Sequence, residues 1–208
     1  MSKVQIQPFR PIYPTPAALI TSVAPNAAPS EWRGGKDDGK PNIITLGEVF
    51  NLSLRHPTIV GIAIRKATYS HGLITASGEY VVNMPTTDIL TQVDGCGSVS
   101  GRKVDKFAAF GLTPLPATVV RPPLIAECPV NIECRVIGIE EIGDHDLFKG
   151  EVVATHVDDT LLDDDGHVRP DRLDPVCFLY CFDFSGEYWS LGRKLGRMHK
   201  LRPGDALG

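Results

Sequence analysis

The chain has no Cys-x-x-Cys pair, no long apolar run and no excess of positive charge, and each absence removes a class of function. Five cysteines are present, Cys96, Cys128, Cys134, Cys177 and Cys181. Without Cys-x-x-Cys spacing, a zinc ribbon or a thioredoxin-type site is not expected. Reduced, mostly buried thiols in a cytoplasmic protein are expected instead. No segment approaches the roughly 18 uninterrupted apolar residues of a membrane helix. Residues 1–16 are proline-bearing and lack an apolar central region, so no signal peptide is read there. The formal net charge of −4 provides no broad basic field for nucleic acid or an anionic membrane, so any anionic ligand must be held locally. No Gly-x-Gly-x-x-Gly follows a strand candidate, which leaves a Rossmann dinucleotide domain unsupported. The acidic stretch at 158–166 fails as an EF-hand loop, because Leu161 and Arg172 stand where acidic ligands are required.

What is there fits a single domain. The 208 residues, 42% apolar and 22% charged, allow a sizeable core without disulfides. The core is read over residues 14–191. A Pro/Gly/Asp-rich loop at 25–39 carries Trp32, which could dock on the body or on a partner. An exposed acidic excursion covers 158–175, and a tail covers 193–208. Strands are expected at 17–23, 42–50, 59–65, 79–84, 130–136 with a bend or bulge at 137–139, 146–157, 177–184 and 188–191. Within 59–65, Val60, Ile62 and Ile64 form a bulky side, while Gly61 and Ala63 form a small side that suits either a flat ligand or a close neighbour. Helices are expected at 69–76, stopped by Gly78; through Val93 from a cap at Thr86 or Thr87; and at 100–110 from Ser100 to a stop at Gly111. Strand-rich order with helices inserted mid-chain indicates an antiparallel barrel rather than a parallel βαβ sheet.

Three stretches have the chemistry to hold a flat, phosphorylated ligand. The first, KPNIITLGEVFN, brings Asn42, Thr45 and Gly47 to a strand end. The second, RKATYSH, combines Arg65 with the hydroxyls of Thr68 and Ser70 at a helix start, where free backbone N–H groups favour phosphate. The third, CGSVSGRKVDKF, places Gly97, Ser98, Ser100 and Gly101 before another helix start, with Arg102, Lys103 and Lys106 as cations. Each has a plainer alternative: turn polar groups at Asn42 and Thr45, a simple cap at Ser100, and a solvated face for the cations. Cys96 lies in the third stretch, as a redox-active thiol or as a packing residue.

Taken in order, PTPAALITSV, KPNIITLG, HPTIVGIAIRKATYSHGLI, SGEYVVNMP, CGSVSGRKVDKFAAFGLTP, PPLIAECPVNIECRV and GDHDLFKGEVVATHVD resemble the flavin reductase-like, flavoredoxin-type FMN-binding split-barrel family. The resemblance implies a mainly β fold, a six-stranded antiparallel Greek-key split β-barrel with inserted short helices. It also implies a homodimer with one FMN per subunit near the subunit interface. Carried onto this chain, Asn42, Thr45, Leu46 and Gly47 border the isoalloxazine ring. Arg65, Thr68, Tyr69 and Ser70 hold the ribityl phosphate, and Ser98, Ser100, Gly101 and Lys106 complete that side. His145, in the GDH piece, is a candidate contact for NADH or NADPH or else an exposed turn histidine. His156 is read as a hydrogen-bonded core histidine, with the barrel mouth as its alternative. The implied activity is an NAD(P)H-dependent flavin reductase passing electrons to free flavin, a partner oxygenase, a metal chelate or a disulfide. A flavoredoxin-like carrier without its own nicotinamide oxidation, and a non-redox barrel for another flat ligand, remain open beside it.

Overall fold

The structure is a computed structural model that describes residues 3–10, 12–27, 39–181, 185–196 and 199. Residues 28–38 of the loop read at 25–39, Trp32 among them, residues 182–184 of the strand read at 177–184, and residues 197, 198 and 200–208 of the tail lie outside the described residues.

In chain order the strands are β1 (Thr15–Pro16), β2 (Ala18–Ser22), β3 (Asn42–Leu46), β4 (Val49–Ser53) and β5 (Ile59–Arg65). Helix α1 (Tyr69–Ser77) leads to β6 (Glu79–Met84), and α2 (Leu90–Ser98) follows a single 3-10 turn. The short α3 (Lys106–Phe110) precedes β7 (Pro114–Leu115) and β8 (Leu124–Ile125). The long hairpin β9 (Val130–Ile142) and β10 (His145–Val157) follows, and β11 (Val176–Tyr180) with β12 (Gly186–Ser190) ends the set. Seven strands pair antiparallel in the order β3-β2-β6-β9-β10-β5-β4.

That order shows why the sheet is a barrel. Its two outer strands, β3 and β4, are neighbours in sequence, separated only by Gly47 and Glu48. The two ends of the sheet are therefore joined at that corner and the sheet curls on itself, although among the described residues no ladder pairs β3 with β4. The sequence reading merged these residues into one strand at 42–50. In the structure the chain bends at Gly47, whose Cα side faces the Tyr180 hydroxyl so closely that a Cβ would lie 3.2 Å from it. The six strands expected thus become seven.

Alternation decides which face is buried. Ala18 and Ile20 of β2 point inward to join Ile62, Ile64, Tyr80, Val82, Cys134 and Phe148 in the barrel core. Ala17 and Leu19 point the other way and pack with Ile43, Val93, Cys96 and Phe107 beneath α2 and α3. β2 is buried on both faces for that reason. The small side of β5 receives neighbours rather than open space: a Cβ on Gly61 would lie 2.8 Å from Leu52 and 3.1 Å from Leu147. In the β9–β10 hairpin, Lys149 pairs with Gly138 and Gly150 with Val136, which leaves Ile137 as the bulged residue where the alternation became ambiguous. A second slip near Val153 shifts the phase of β10, so His156 is not a core residue: its side chain is 30% exposed and meets the buried Glu133 at 2.6 Å.

Two helix readings need correction. α2 begins after the turn at Thr87–Ile89 and continues past Val93 to Ser98. The helix expected at 100–110 covers only Lys106–Phe110, and its cap is Asp105, whose carboxylate accepts from the Ala108 N–H at 3.2 Å. Ser100 instead organises the preceding turn, accepting from the Lys103 and Val104 N–H groups at its carbonyl and from the Arg102 N–H at its hydroxyl. Packing fixes this turn: Gly101 lies so close to Asn42 that a Cβ would come within 1.9 Å of Oδ1. The stops at Gly78 (φ +70°) and Gly111 (φ +66°) match their left-handed geometry.

Among the described residues no helix is long and apolar enough to cross a membrane.

Candidate functional site

Three clefts adjoin one another where β3, the start of α1, the end of α2 and the turn at 99–105 converge. The middle one, about 310 Å³, is lined by Asn42, Thr68, Tyr69, Ser70, Ser98, Ser100, Gly101 and Lys106 among others. It shares Gly97 and Ser98 with a second cleft of about 320 Å³, where Thr45 and Gly47 meet Glu48, Asp94, Phe178, Tyr180 and Tyr188. It shares Asn42, Tyr69 and Gly101 with a third of about 430 Å³, lined by Lys40, Arg102, Lys103 and Asp105.

Each wall has a local cause. Thr68 caps α1: its hydroxyl accepts from the His71 N–H at 3.3 Å and donates to the Arg65 carbonyl at 3.0 Å. The other amides of that first turn have no partner within the helix, so they are available to an acceptor. Asn42, 4% exposed, donates from Nδ2 to the Ser70 hydroxyl at 2.7 Å. Thr45 donates to the Val93 carbonyl at 2.5 Å, which ties β3 to α2. Lys106, 3% exposed, reaches back from α3 and donates to the carbonyls of Ile43 and Cys96, both at 2.6 Å. Burial pushes its pKa down, against a smaller upward pull from Cys96.

The structure brings eight of the twelve cofactor candidates into the middle cleft and places Thr45 and Gly47 in the adjoining one. Leu46 and Arg65 go elsewhere. Leu46 points into the barrel core, and Arg65 is an exposed residue 3.8 Å from Asp144. His145 pairs across the sheet with Arg65 and bonds to Asp144 at 2.7 Å, at the hairpin tip and outside the lining of the three clefts. Gly97 and Ser98 sit at the C-terminal end of α2 rather than before a helix start, so their contribution is small size and a hydroxyl, not a favourable dipole. Lys106 is a buried tie, not part of a solvated face. Cys96 is fully buried with its thiol pushed up to about 11 by burial, which makes it a packing residue.

Two buried groups are left incomplete. Oδ1 of Asn42 has no hydrogen-bond partner. The Lys106 ammonium has two neutral carbonyls and, among the described residues, no carboxylate. A buried cation without a counterion is costly, and an anionic ligand would complete it. At the opposite end the lining is aromatic and acidic: the Tyr188 hydroxyl donates to Asp94 at 3.1 Å, and the Tyr180 hydroxyl donates to Glu48 at 2.5 Å. Burial and then the adjacent carboxylate hold both phenols up at about 12. The residues present therefore fit a ligand with a flat ring at one end and an anionic tail at the other.

The family model for the flavin reductase-like domain matches residues 10–171. The chain belongs to the flavin reductase-like family. Its fold is similar to flavoredoxin of Desulfovibrio vulgaris (TM-score 0.82, 30% identity, 96% of this chain and 98% of that one). It is also similar to flavoredoxin from Methanosarcina acetivorans (TM-score 0.80, 28% identity, 96% and 97%). In sequence it is 42% identical over 120 residues to an uncharacterized protein of Archaeoglobus fulgidus, covering 57% of this chain and 67% of that protein. Membership places the chain among flavin-related oxidoreductases, on the split-barrel fold.

In this flavin reductase-like protein, sequence reasoning missed the far wall of the ring-sized cleft. Phe178, Tyr180 and Tyr188 come from the β11–β12 hairpin, and Glu48 and Asp94 complete that wall. The aromatic content of residues 176–190 is visible in the sequence, but the hairpin's position beside β3 is not. Arg10 was also missed: its guanidinium lies 3.7 Å over the Tyr180 ring and pairs with Glu48 at 2.8 Å.

Proposed function

We propose that the protein binds FMN across the first two clefts and acts as an NAD(P)H-dependent flavin reductase. The observation that carries this reading is the polarity of the continuous trough. Its Asn42–Lys106 end is cationic and incomplete, and its Thr45–Tyr188 end is aromatic. Lys106, the Thr68–Ser70 helix start and the Ser98 and Ser100 hydroxyls would hold the phosphate and ribityl groups. Asn42 Oδ1 would accept from a ribityl hydroxyl. Thr45 and Gly47 would border the ring, and Phe178 and Tyr188 would shield it from water. Bound flavin would supply the redox chemistry, taking a hydride at N5 and passing electrons to a second acceptor. No side chain needs to act as an acid or base in that transfer, which agrees with a trough lacking a histidine among its lining residues.

The test is the absorption spectrum of the purified protein with FMN, followed anaerobically on adding NADH and then NADPH. Bleaching of the flavin bands is expected. Bands that persist with both would favour the second reading, an FMN electron carrier like the flavoredoxins it is similar to at 30% and 28% identity. A protein that takes up no FMN would overturn both. His145 remains a proposed nicotinamide contact from the hairpin tip. Unchanged NADH and NADPH Michaelis constants in His145→Ala would remove it.

We also infer a homodimer. Phe50, Leu52 and Leu54, on and after β4, are 41%, 45% and 79% exposed, an apolar strip that a second copy would cover. Sedimentation velocity of the wild type and of Leu52→Lys checks this, a monomeric wild type being the contrary result.

A further inference from the structure

The ring-end cleft has an electrostatic difficulty that its own lining does not resolve. Among the described residues it is lined by two carboxylates, Glu48 and Asp94, and by no lysine, arginine or histidine. Uptake of a hydride brings two electrons and one proton, so a ring bound here becomes one unit more negative. Carboxylates beside a partly buried ring oppose that change.

One of the two carboxylates is neutralised from outside the lining. Arg10 belongs to the N-terminal segment before β1, and its guanidinium reaches Glu48 Oε1 at 2.8 Å. The same guanidinium lies 3.7 Å over the Tyr180 ring. The Tyr180 hydroxyl donates to that same Glu48 oxygen at 2.5 Å, and the Tyr13 hydroxyl donates to the Tyr180 carbonyl. Glu48 is itself held by the corner between β3 and β4, where its carbonyl accepts from the Ala63 N–H at 3.0 Å, and its side chain is 20% exposed. Asp94, by contrast, is met by the Tyr188 hydroxyl at 3.1 Å, a neutral partner.

We propose that Arg10 is a positioning residue for flavin reduction: by neutralising Glu48 and holding Tyr180 against it, Arg10 lets the ring-end cleft accept the added negative charge of the reduced ring. The inference rests on the flavin reading above. Arg10 lies outside the cleft lining and acts through Glu48 and Tyr180. Its side chain is 57% exposed, so solvent screens the effect below that of a buried pair.

The experiment is the two-electron midpoint potential of FMN bound to the full chain at neutral pH, measured anaerobically against a reference dye with a chemical reductant, together with the dissociation constant of oxidised FMN. In Arg10→Gln the affinity for reduced FMN is expected to fall about threefold to tenfold relative to oxidised FMN, which lowers the potential by about 15–30 mV. Glu48→Gln should raise the potential by a similar amount. The double variant Arg10→Gln/Glu48→Gln, and Arg10→Lys, which keeps the charge, should each keep that affinity ratio within about twofold of wild type. Arg10→Gln with equal losses for both redox states and an unmoved potential would make Arg10 a tie in the cleft wall, overturning the inference and leaving the flavin reading standing. A Glu48→Gln potential that does not rise would overturn it too, and carries the test if Arg10→Gln retains no FMN. The chemical reductant makes the outcome independent of whether NADH or NADPH bleaches the protein. A wild type that binds no FMN would overturn the flavin reading and the inference together.

Discussion

Two buried charges in this molecule are treated in opposite ways. Glu133, on β9, is fully buried and fully satisfied. Its carboxylate accepts from the N–H groups of Thr118, Val119 and Val120, from the Thr118 hydroxyl, and meets His156 at 2.6 Å. Lys106 is equally buried but meets only two carbonyls, beside an asparagine with an idle amide end. The first arrangement is closed and structural: one carboxylate fastens residues 118–120 onto the barrel. The second is open on one side. The difference teaches where to look for a ligand: Ser22 Oγ and Asp146 Oδ1 are also buried without a hydrogen-bond partner, but only Asn42 is so placed in the lining of a cleft beside a buried cation.

The largest effect should come from breaking the closed site. Glu133→Ala leaves three backbone donors and His156 without their acceptor, and is expected to lower unfolding stability by about 3–5 kcal/mol in urea titrations. Flavin affinity, measured on the folded fraction, should change little, because Glu133 lines none of the three clefts. Lys106→Met is the matching break in the open site. FMN affinity should fall about tenfold to a hundredfold, as for a lost buried charge-assisted contact, while riboflavin, which has no phosphate, should lose far less. Comparable losses for the two ligands would show that Lys106 acts only as a tie between β3 and α2.

The same contrast has a pH signature. Burial would raise the Glu133 carboxyl, but the hydrogen bonds from Thr118, His156 and Val120 outweigh it and hold the group at about 2, below its ordinary 4.5. A carboxyl depressed in the folded state contributes stability that is fully present above the unfolded value and lost as pH falls through the folded one. Stability should therefore drop between about pH 4.5 and about pH 2. Glu133→Gln should flatten that part of the profile, and an unflattened profile would assign the acid sensitivity to other carboxyls. The smallest effect belongs to Cys96→Ala. It should cost about 1 kcal/mol as a minor packing loss and leave anaerobic flavin reduction unchanged. A changed reduction rate would return the thiol to the redox chemistry.

Much of the fold was legible because local rules agreed with tertiary ones. β5 and β6 have their expected bounds, Gly78 and Gly111 stop their helices, and the ambiguous phase at 137–139 is a real bulge at Ile137. The misreadings occur where packing overrode propensity. Ser100 resembles a helix cap, but the contact between Gly101 and Asn42 holds the chain in a turn until Asp105. Residues 42–50 look like one strand, but barrel closure needs a bend at Gly47. For the site, the polar residues of three stretches could be listed from the sequence. Their convergence could not, nor could the diversion of Leu46 to the core and of Arg65 to Asp144.

The sequence by itself determined that any anion must be held locally, since a net charge of −4 leaves no general attraction. It also determined which short segments carry hydroxyls, glycines and cations, because composition and spacing are local properties. Only the tertiary structure decided which of those groups are finished and which are left open. Whether a buried charge meets three amides, like Glu133, or only two carbonyls, like Lys106, depends on how the segments at 118–120 and at 96–106 fold back onto β9 and β3, which local spacing does not specify.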